Sequence, residues 1–308
     1  MKTRDKIYCL LAKSEAVLSG EAISRELEIS RVSVWKHIRA LVDGGITIAA
    51  TTRGYELEPD GDCLNPLCFG DRKELVHYHR EIGSTMDEAA RLAREGCPDY
   101  TVVVAERQRS GRGRMAREWV SDDGGLYFTV VVRPELPIDQ AHLTNLAAAV
   151  ELSGLLNDTY GIDARLKWPN DILVDGKKLC GCLSQMEIEG DLIGFLSIGV
   201  GLNVNNDPTS RESNAVSMME LLGKPVPRRP LLTGFIDRFE LRMERLDPSV
   251  LIDDWKRQNN TLGREVRVIT RNKTNTGVAV DIDGQGGLVI EDREGSRETV
   301  IYGDCFYN

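Results

Sequence analysis

The sequence predicts an α+β protein in three parts, and three observations carry that expectation. Within the first sixty residues, apolar side chains at helical spacing give way to a short hairpin pattern. From about residue 75 to 262, strand-like and helix-like runs alternate around what should be a mixed sheet. From Gly263 onward only short β segments remain. A chain of 308 residues is longer than one core usually needs, so several domains are expected.

The N-terminal elements come first. Ile7, Leu10 and Leu11 share one face of a helix, and Ser19 is placed to cap a second that carries Ala22, Ile23 and Leu27. Ser30 caps a third, "RVSVWKHIRALV", where Val34, Ile38 and Leu41 recur at helical spacing. In "GGITIAATTRGYELEP" two short strands flank Thr52-Arg53-Gly54, a hairpin wing. Three helices and a wing make a winged helix-turn-helix over residues 1–60. Between Ser30 and Ala40 stand Arg31, Lys36, Arg39 and His37 with no acid, the composition of a helix that meets phosphates and base edges. Ser30, Ser33 and the wing's Arg53 complete that candidate DNA face. A solvated face of a purely structural module is the plainer alternative.

Residues 61–74 lie within "PDGDCLNPLCFGDRK", rich in Gly, Pro and Asp and without helical periodicity, and are expected to be a linker. In the central domain, 75–262, "TVVVAE" and "LYFTVVVR" read as buried strands and "DQAHLTNLAAAVELSGLL" as a packed helix. Further strands follow, turning at Asp175-Gly176 and Glu189-Gly190-Asp191, and "RRPLLTGFIDRFELRMERL" is another helix. "REVRVIT", "TGVAVDID" and "GGLVIED" suit a small barrel over 263–308.

The net charge of −9 disfavours a general nucleic-acid binder, yet residues 1–60 hold nine Lys/Arg and nine Asp/Glu, so the deficit lies elsewhere. No apolar run approaches the roughly 18 residues of a membrane span and no signal-peptide pattern opens the chain, so the cytoplasm is expected. Seven scattered cysteines include the pairs Cys63/Cys68 and Cys180/Cys182, neither with a second ligand pair at zinc-site spacing. Reduced thiols and no protein-held metal are the expectation.

"SGRGRMAREW" (Ser110–Trp119) fits G-x-G-x-x-G/A, but "REWVSDDGG" is a poor helix start and the following acids come too early for a ribose. No G-K-[ST] follows, which excludes a P-loop. What survives is physical: Gly111 and Gly113 permit close backbone approach, and Arg112 and Arg114 offer planar forks for phosphate or carboxylate. Such a loop suits a polyphosphate meeting a second anion; an exposed basic loop of no consequence is the alternative. "KWPND" (Lys167–Asp171), "GKKLCG" (Gly176–Gly181), "GSTMDEA" (Gly83–Ala89) and "GVGLNVN" (Gly199–Asn205) add cations, an aromatic, amides, hydroxyls and close glycines.

With GRGR, KWPND and K-L-x-G in that order, and "LSGEAISRELEISRVSVWKHI" before them, nearly the whole chain resembles the bifunctional biotin–protein ligases that double as biotin operon repressors. The resemblance implies a biotin-ligase catalytic domain of the class II synthetase-like type and an SH3-like C-terminal domain. It implies that biotin and ATP form biotinyl-5′-adenylate with Mg²⁺, and that the acyl group passes to a lysine of a biotin carboxyl carrier domain of acetyl-CoA carboxylase or a related carboxylase. Carried over by motif, Ser84, Thr85, Met86, Gln108, Arg112, Gly113, Arg114, Lys178, Gly181 and Gly199 would line the biotin site. Met86 occupies a position that is often Asn in the family. Arg114, Trp119, Lys167, Asn170 and Asn203 would meet the nucleotide. Arg112, Arg114 and Lys178 would neutralise charge at the α-phosphorus, with Asp171 accepting the carrier lysine's proton. A homodimer of the adenylate-bound form would bind a two-fold operator. No Lys or Arg follows Arg297, so no cation from the last residues is expected at the nucleotide. Two other readings remain: a lipoate- or octanoate-type protein acyltransferase, and a DNA-binding regulator that only senses biotin.

Overall fold

The computed structural model describes residues 2–14, 16–58, 60–210, 212–271 and 273–307, and only the backbone of Ala116. Met1, Pro59 at the head of the linker stretch, and Asn308 at the chain's end lie outside the described residues. Among those described, no helix is long and apolar enough to cross a membrane.

Helices α1 (Thr3–Lys13), α2 (Gly20–Glu26) and α3 (Arg31–Asp43) precede the hairpin of β1 (Ile48–Thr51) and β2 (Gly54–Leu57). The expected caps form: Ser19 accepts from the Ala22 N–H at 3.0 Å and Ser30 from the Ser33 N–H at 3.1 Å. Ile7, Leu11, Ile23, Val34, Ile38 and Leu41 bury into a core of their own. That core also takes in Cys63 from the linker.

The linker is packed rather than loose. It holds tight helical turns over Pro66–Glu74, and its Leu64 and Phe69 join the catalytic core. Lack of helical periodicity signalled lack of an amphipathic helix there, not lack of burial.

The central sheet has seven strands: β3 (Val76–Ile82), β4 (Val102–Gln108), β5 (Leu126–Val132), β6 (Arg165–Lys167), β7 (Asp171–Val174), β8 (Lys177–Glu189) and β9 (Leu192–Leu202). Their spatial order is β3-β4-β5-β9-β8-β7-β6, with β3 and β4 parallel and the other neighbours antiparallel. Helix α4 (Thr85–Arg94) covers one face through Ala89, Leu92 and Ala93 against Val103 and Val131. On the other face lie α5 (His142–Tyr160) and α7 (Arg228–Glu244), which follows the short α6 (Met218–Leu222). Covered on both sides, all seven residues of β5 are buried, which is why "LYFTVVV" reads as a continuous apolar run. Helix α8 (Pro248–Gln258), which sequence periodicity did not reveal, starts where Asp247 accepts from the Ser249 and Val250 N–H groups.

Strands β10 (Glu265–Ile269), β11 (Thr274–Ile282), β12 (Leu288–Glu291), β13 (Arg297–Val300) and β14 (Asp304–Tyr307) form the C-terminal antiparallel domain, in the order β13-β12-β11-β10-β14. Its inner residues Val266, Val268, Ile282 and Leu288 share one core with the central domain. Trp168 fastens the two: its N–H reaches Thr261 Oγ1 at 2.9 Å and its indole N–H reaches the Gly286 carbonyl at 3.1 Å.

Candidate active site and DNA-facing helix

A cavity of about 280 Å³ opens on the sheet over β7, β8 and β9, reaching Gln108 at the end of β4. Its floor is bare backbone. Gly181 on β8 and Gly201 on β9 are paired across the ladder, and Trp119 packs onto both. A Cβ on Gly201 would lie 2.4 Å from the indole Cε2, and one on Gly181 would lie 2.9 Å from Cζ3. Farther along, a Cβ on Gly199 would meet Met86 Sδ at 2.9 Å. Glycine at these positions is a spatial requirement.

The roof is the arginine loop, folded back on itself. Gly113 N–H reaches the Arg117 carbonyl at 2.8 Å, and Trp119 N–H reaches the Gly111 carbonyl at 2.9 Å. Its side chains fan out in three directions. Arg112 pairs with Asp87 on α4 at 2.5 Å and donates to Gln185 Oε1 at 3.2 Å. Arg114 turns inward and donates to Asn170 Oδ1 at 3.3 Å. Burial presses the Arg114 pKa down from its ordinary value, countered by the nearby Asp171 charge; guanidinium nevertheless stays charged. Arg117 pairs with Asp304 of β14, whose other oxygen lies 4.0 Å from Arg114. The C-terminal domain thus holds the loop electrostatically.

Opposite the loop, Lys178 Nζ sits 2.8 Å from Asp171 Oδ1 and 5.2 Å from the centre of the Trp119 ring. The contact lacks hydrogen-bond alignment, so that buried carboxylate oxygen has no donor. Asn170 is locked by its amide N–H to the Cys182 carbonyl at 2.7 Å. Asn203 is buried and accepts from Asn206 at 3.0 Å. At the far end Thr85 donates twice to Gln108 Oε1, from N–H at 2.8 Å and from Oγ1 at 3.0 Å. Gln108 in turn donates to Ser121 at 2.9 Å. The result is an apolar pouch at Met86 and Gly199 leading to a charged chamber where Arg114 and Lys178 stand beside Asp171 and Asp304.

Thirteen of the residues expected at the biotin and nucleotide sites or for catalysis line this one cavity; Ser84 and Lys167 do not. Ser84 caps α4, accepting from the Met86 N–H at 3.3 Å, so its oxygen is committed to the helix. Lys167 leans over Tyr307, its Nζ 4.8 Å from the ring centre, drawn to the C-terminal domain. Sequence reasoning missed Asp304, Arg117 and Asp87 as loop anchors. No local pattern marks them, because each becomes a partner only through the fold. Gly201 was visible as the second glycine of "GVGLNVN". Among the described residues no three His, Cys, Asp or Glu side chains gather as a metal-binding group.

On the N-terminal domain, Ser30, Arg31, Lys36 and Arg39 are exposed on or beside α3, Ser33 and His37 are half-buried, and Arg53 is exposed at the wing's turn. Arg39 stacks its guanidinium 5.2 Å from the centre of the exposed Trp35 ring.

Three family models match in chain order: an HTH domain over residues 2–56, the biotin/lipoate A/B protein ligase family over 80–203 and the biotin protein ligase C terminal domain over 261–307. The bifunctional ligase/repressor BirA of Bacillus subtilis (strain 168) is 33% identical over 312 residues, covering 96% of this chain and 95% of that protein. BirA of Escherichia coli (strain K12) is 27% identical over 302 residues, covering 93% and 91%. The solved biotin protein ligase from Aquifex aeolicus in complex with biotin and ATP superposes with a TM-score of 0.64 at 28% identity, over 76% of this chain and 98% of that one. With one cavity lined from GRGR, KWPND and K-L-x-G, and a helix-turn-helix domain preceding it in the chain, the chain belongs to the biotin protein ligase family, among its bifunctional ligase/repressor members.

Proposed function

We propose that this ligase makes biotinyl-5′-adenylate in the cavity under the arginine loop, transfers biotin to a carrier-domain lysine, and uses the same adenylate as the signal for operator binding. The single observation that carries the catalytic half is that Arg112, Arg114 and Lys178 line one cavity with a glycine floor. The Aquifex relative solved with biotin and ATP supports the choice of substrates.

In the first step a biotin carboxylate oxygen attacks the α-phosphorus, a C–O–P anhydride forms and pyrophosphate leaves. Two anions must meet, and fixed cations in a water-poor chamber reduce that barrier most. Lys178, steered by Asp171, serves the α-phosphate; Arg114 closes on the adenylate; Arg112, at the rim, attracts the carboxylate. Met86 and Gly199 supply the apolar wall for biotin, while Thr85 and Gln108 offer hydrogen bonds to its ureido group. A magnesium ion carried on the ATP phosphates would supply further charge neutralisation on the triphosphate; Asp171 Oδ1, 2.8 Å from Lys178 Nζ, is already engaged by that ammonium.

In the second step the carrier lysine nitrogen attacks the acyl carbon, AMP leaves, and Asp171 takes the proton. Adenylate is a good leaving group, so orientation of the amine is the main demand. Trp119 and Asn203, on the cavity wall, serve the nucleotide. The working units are 1–60 for DNA, 61–74 as connector, 75–262 for catalysis and 263–308 as the loop's anchor. Arg31, Lys36, Arg39 and Arg53 face DNA, and a homodimer formed by the adenylate-bound chain matches a two-fold operator.

The test is incubation of the pure protein with ATP and either biotin or lipoate, with adenylates read by mass spectrometry and carrier-domain acylation read in parallel. Biotinyl-AMP and a biotinylated carrier are expected. Lipoyl-AMP alone would favour the acyltransferase reading, and absence of carrier labelling would favour a sensor without ligase activity.

A further inference from the structure

We propose that Cys63 and Cys68 form a redox-active dithiol that low-molecular-weight disulfides convert to an intramolecular disulfide within the connector between the DNA-binding and catalytic domains. The inference rests on the connector's geometry and is independent of the ligase chemistry.

The two sulfur atoms lie 3.1 Å apart and share one hydrogen bond. A preformed turn holds them there: Cys68 N–H reaches the Asn65 carbonyl at 2.9 Å, and Leu67 N–H reaches Asn65 Oδ1 at 3.1 Å. Their environments differ in the way a nucleophile and a resolving thiol differ. Cys63 is 5% exposed in the winged-helix core, whereas Cys68 is only half-buried. The Tyr8 hydroxyl on α1 donates to Cys68 Sγ at 3.8 Å, and Arg229 on α7 donates to the Cys68 carbonyl at 3.4 Å. The hydrogen bond shared with Cys63 above all, helped by Tyr8 and the Arg229 charge, lowers the Cys68 pKa to about 6; the same hydrogen bond and burial push the Cys63 thiol up. Asp60 is the acid near Cys63. Cys180 and Cys182, by contrast, are fully buried in the sheet.

The chemistry balances without a metal. The Cys68 thiolate attacks one sulfur of a small disulfide, forming a mixed disulfide and releasing one small thiolate. That thiolate takes the Cys63 proton, and the Cys63 sulfur attacks the Cys68 sulfur. The second small thiolate leaves, so one protein disulfide forms as one small disulfide is reduced to two thiols.

The location gives the bond a consequence. Cys63 packs with the winged helix, Leu64 and Phe69 pack with the catalytic core, and Asp62, just before Cys63, grips Arg228. A covalent bridge in this stretch fixes the turn through which the two domains are joined.

The test uses the full reduced chain with glutathione disulfide at pH 6, acid quench, and peptide mapping. The higher thiolate fraction of Cys68, offset by its lower intrinsic nucleophilicity, leaves it about tenfold ahead of an ordinary thiol at that pH. A Cys63–Cys68 disulfide is therefore expected about tenfold ahead of adducts at Cys9 and Cys97, the other half-buried thiols. In C63S a glutathione adduct should accumulate at Cys68; in C68S, Cys63 should stay free. Carrier biotinylation should be unchanged by oxidation, since neither thiol lines the catalytic cavity. Persistence of both thiols while Cys9 or Cys97 reacts, or labelling of Cys63 in C68S at the wild-type rate, overturns the proposal.

Discussion

Gly201 has no room for a methyl group, because its Cβ would fall 2.4 Å from Trp119. In Gly201→Ala either the indole lifts from the sheet or β9 shifts, and overpacking of this kind costs about 1–3 kcal/mol. The expected result is a lower Tm and a KM for ATP raised roughly tenfold, the loss in Tm being partly restored by Trp119→Ala; an unchanged KM would remove Trp119 from the nucleotide site. Arg114 offers a second residue-scale test. It is the arginine of the loop that turns into the cavity, bonded to Asn170 and near Asp304. Arg114→Gly should release biotinyl-AMP and label lysines of bystander proteins, with labelling confined to the carrier domain as the contrary outcome. Lys178→Ala should slow adenylate formation by about a hundredfold or more, the loss typical of one preorganised charge partner. At this scale the sequence was legible where the chemistry is local: Arg112, Gly113 and Arg114 of GRGR, Asn170 and Asp171 of KWPND, and Lys178 and Gly181 of GKKLCG line one cavity. Ser84 and Lys167 stay out of the cavity lining because a helix end and an aromatic ring, neither visible in the motif, decide where those side chains turn. Asp304 was invisible because its partners lie far away in the sequence.

Elements were legible in proportion to how strongly their ends are marked. Helix α3 begins at Ser30, whose hydroxyl takes the Ser33 N–H, and its apolar positions repeat regularly; both signals were readable. Ser30→Ala should lower stability by about 1 kcal/mol, measured as a shift in the thermal midpoint, while Ser30→Asp should retain most of it. A loss of operator binding in Ser30→Ala without any change in midpoint would instead mean that Ser30 contacts DNA. Helix α8 escaped notice since Leu251, Ile252 and Trp255 are its only buried residues in a polar stretch. The burial of the connector was not legible, for the opposite reason. Composition reports the absence of periodicity, but Cys63, Leu64 and Phe69 are buried by two different cores, which only the assembled molecule supplies.

The assembled molecule depends on long-range charges that no window of sequence contains. Arg228, with its side chain 7% exposed, binds Asp62 of the connector at 2.5 Å and Glu106 of β4 at 2.6 Å, and donates to the Gly125 carbonyl at 3.0 Å. Removing one member of a buried ionic set leaves uncompensated charge, so Arg228→Met should cost about 3 kcal/mol, read in a denaturant melt. Pairing it with Glu106→Gln should recover part of that loss. The same reasoning about charge applies to DNA, where the net −9 of the chain would be unfavourable overall and the acid-free face of α3 must supply the local attraction. Each phosphate contact adds about one to the magnitude of the slope of log K against log salt concentration. Arg31→Ala, Lys36→Ala and Arg39→Ala should therefore each flatten that slope, by about one per DNA-bound protomer. A flattening of about two identifies a dimer on the operator, and about one identifies a monomer. If none of the three changes the slope, α3 does not face the phosphates and the repressor half of the proposal fails, leaving the ligase half intact.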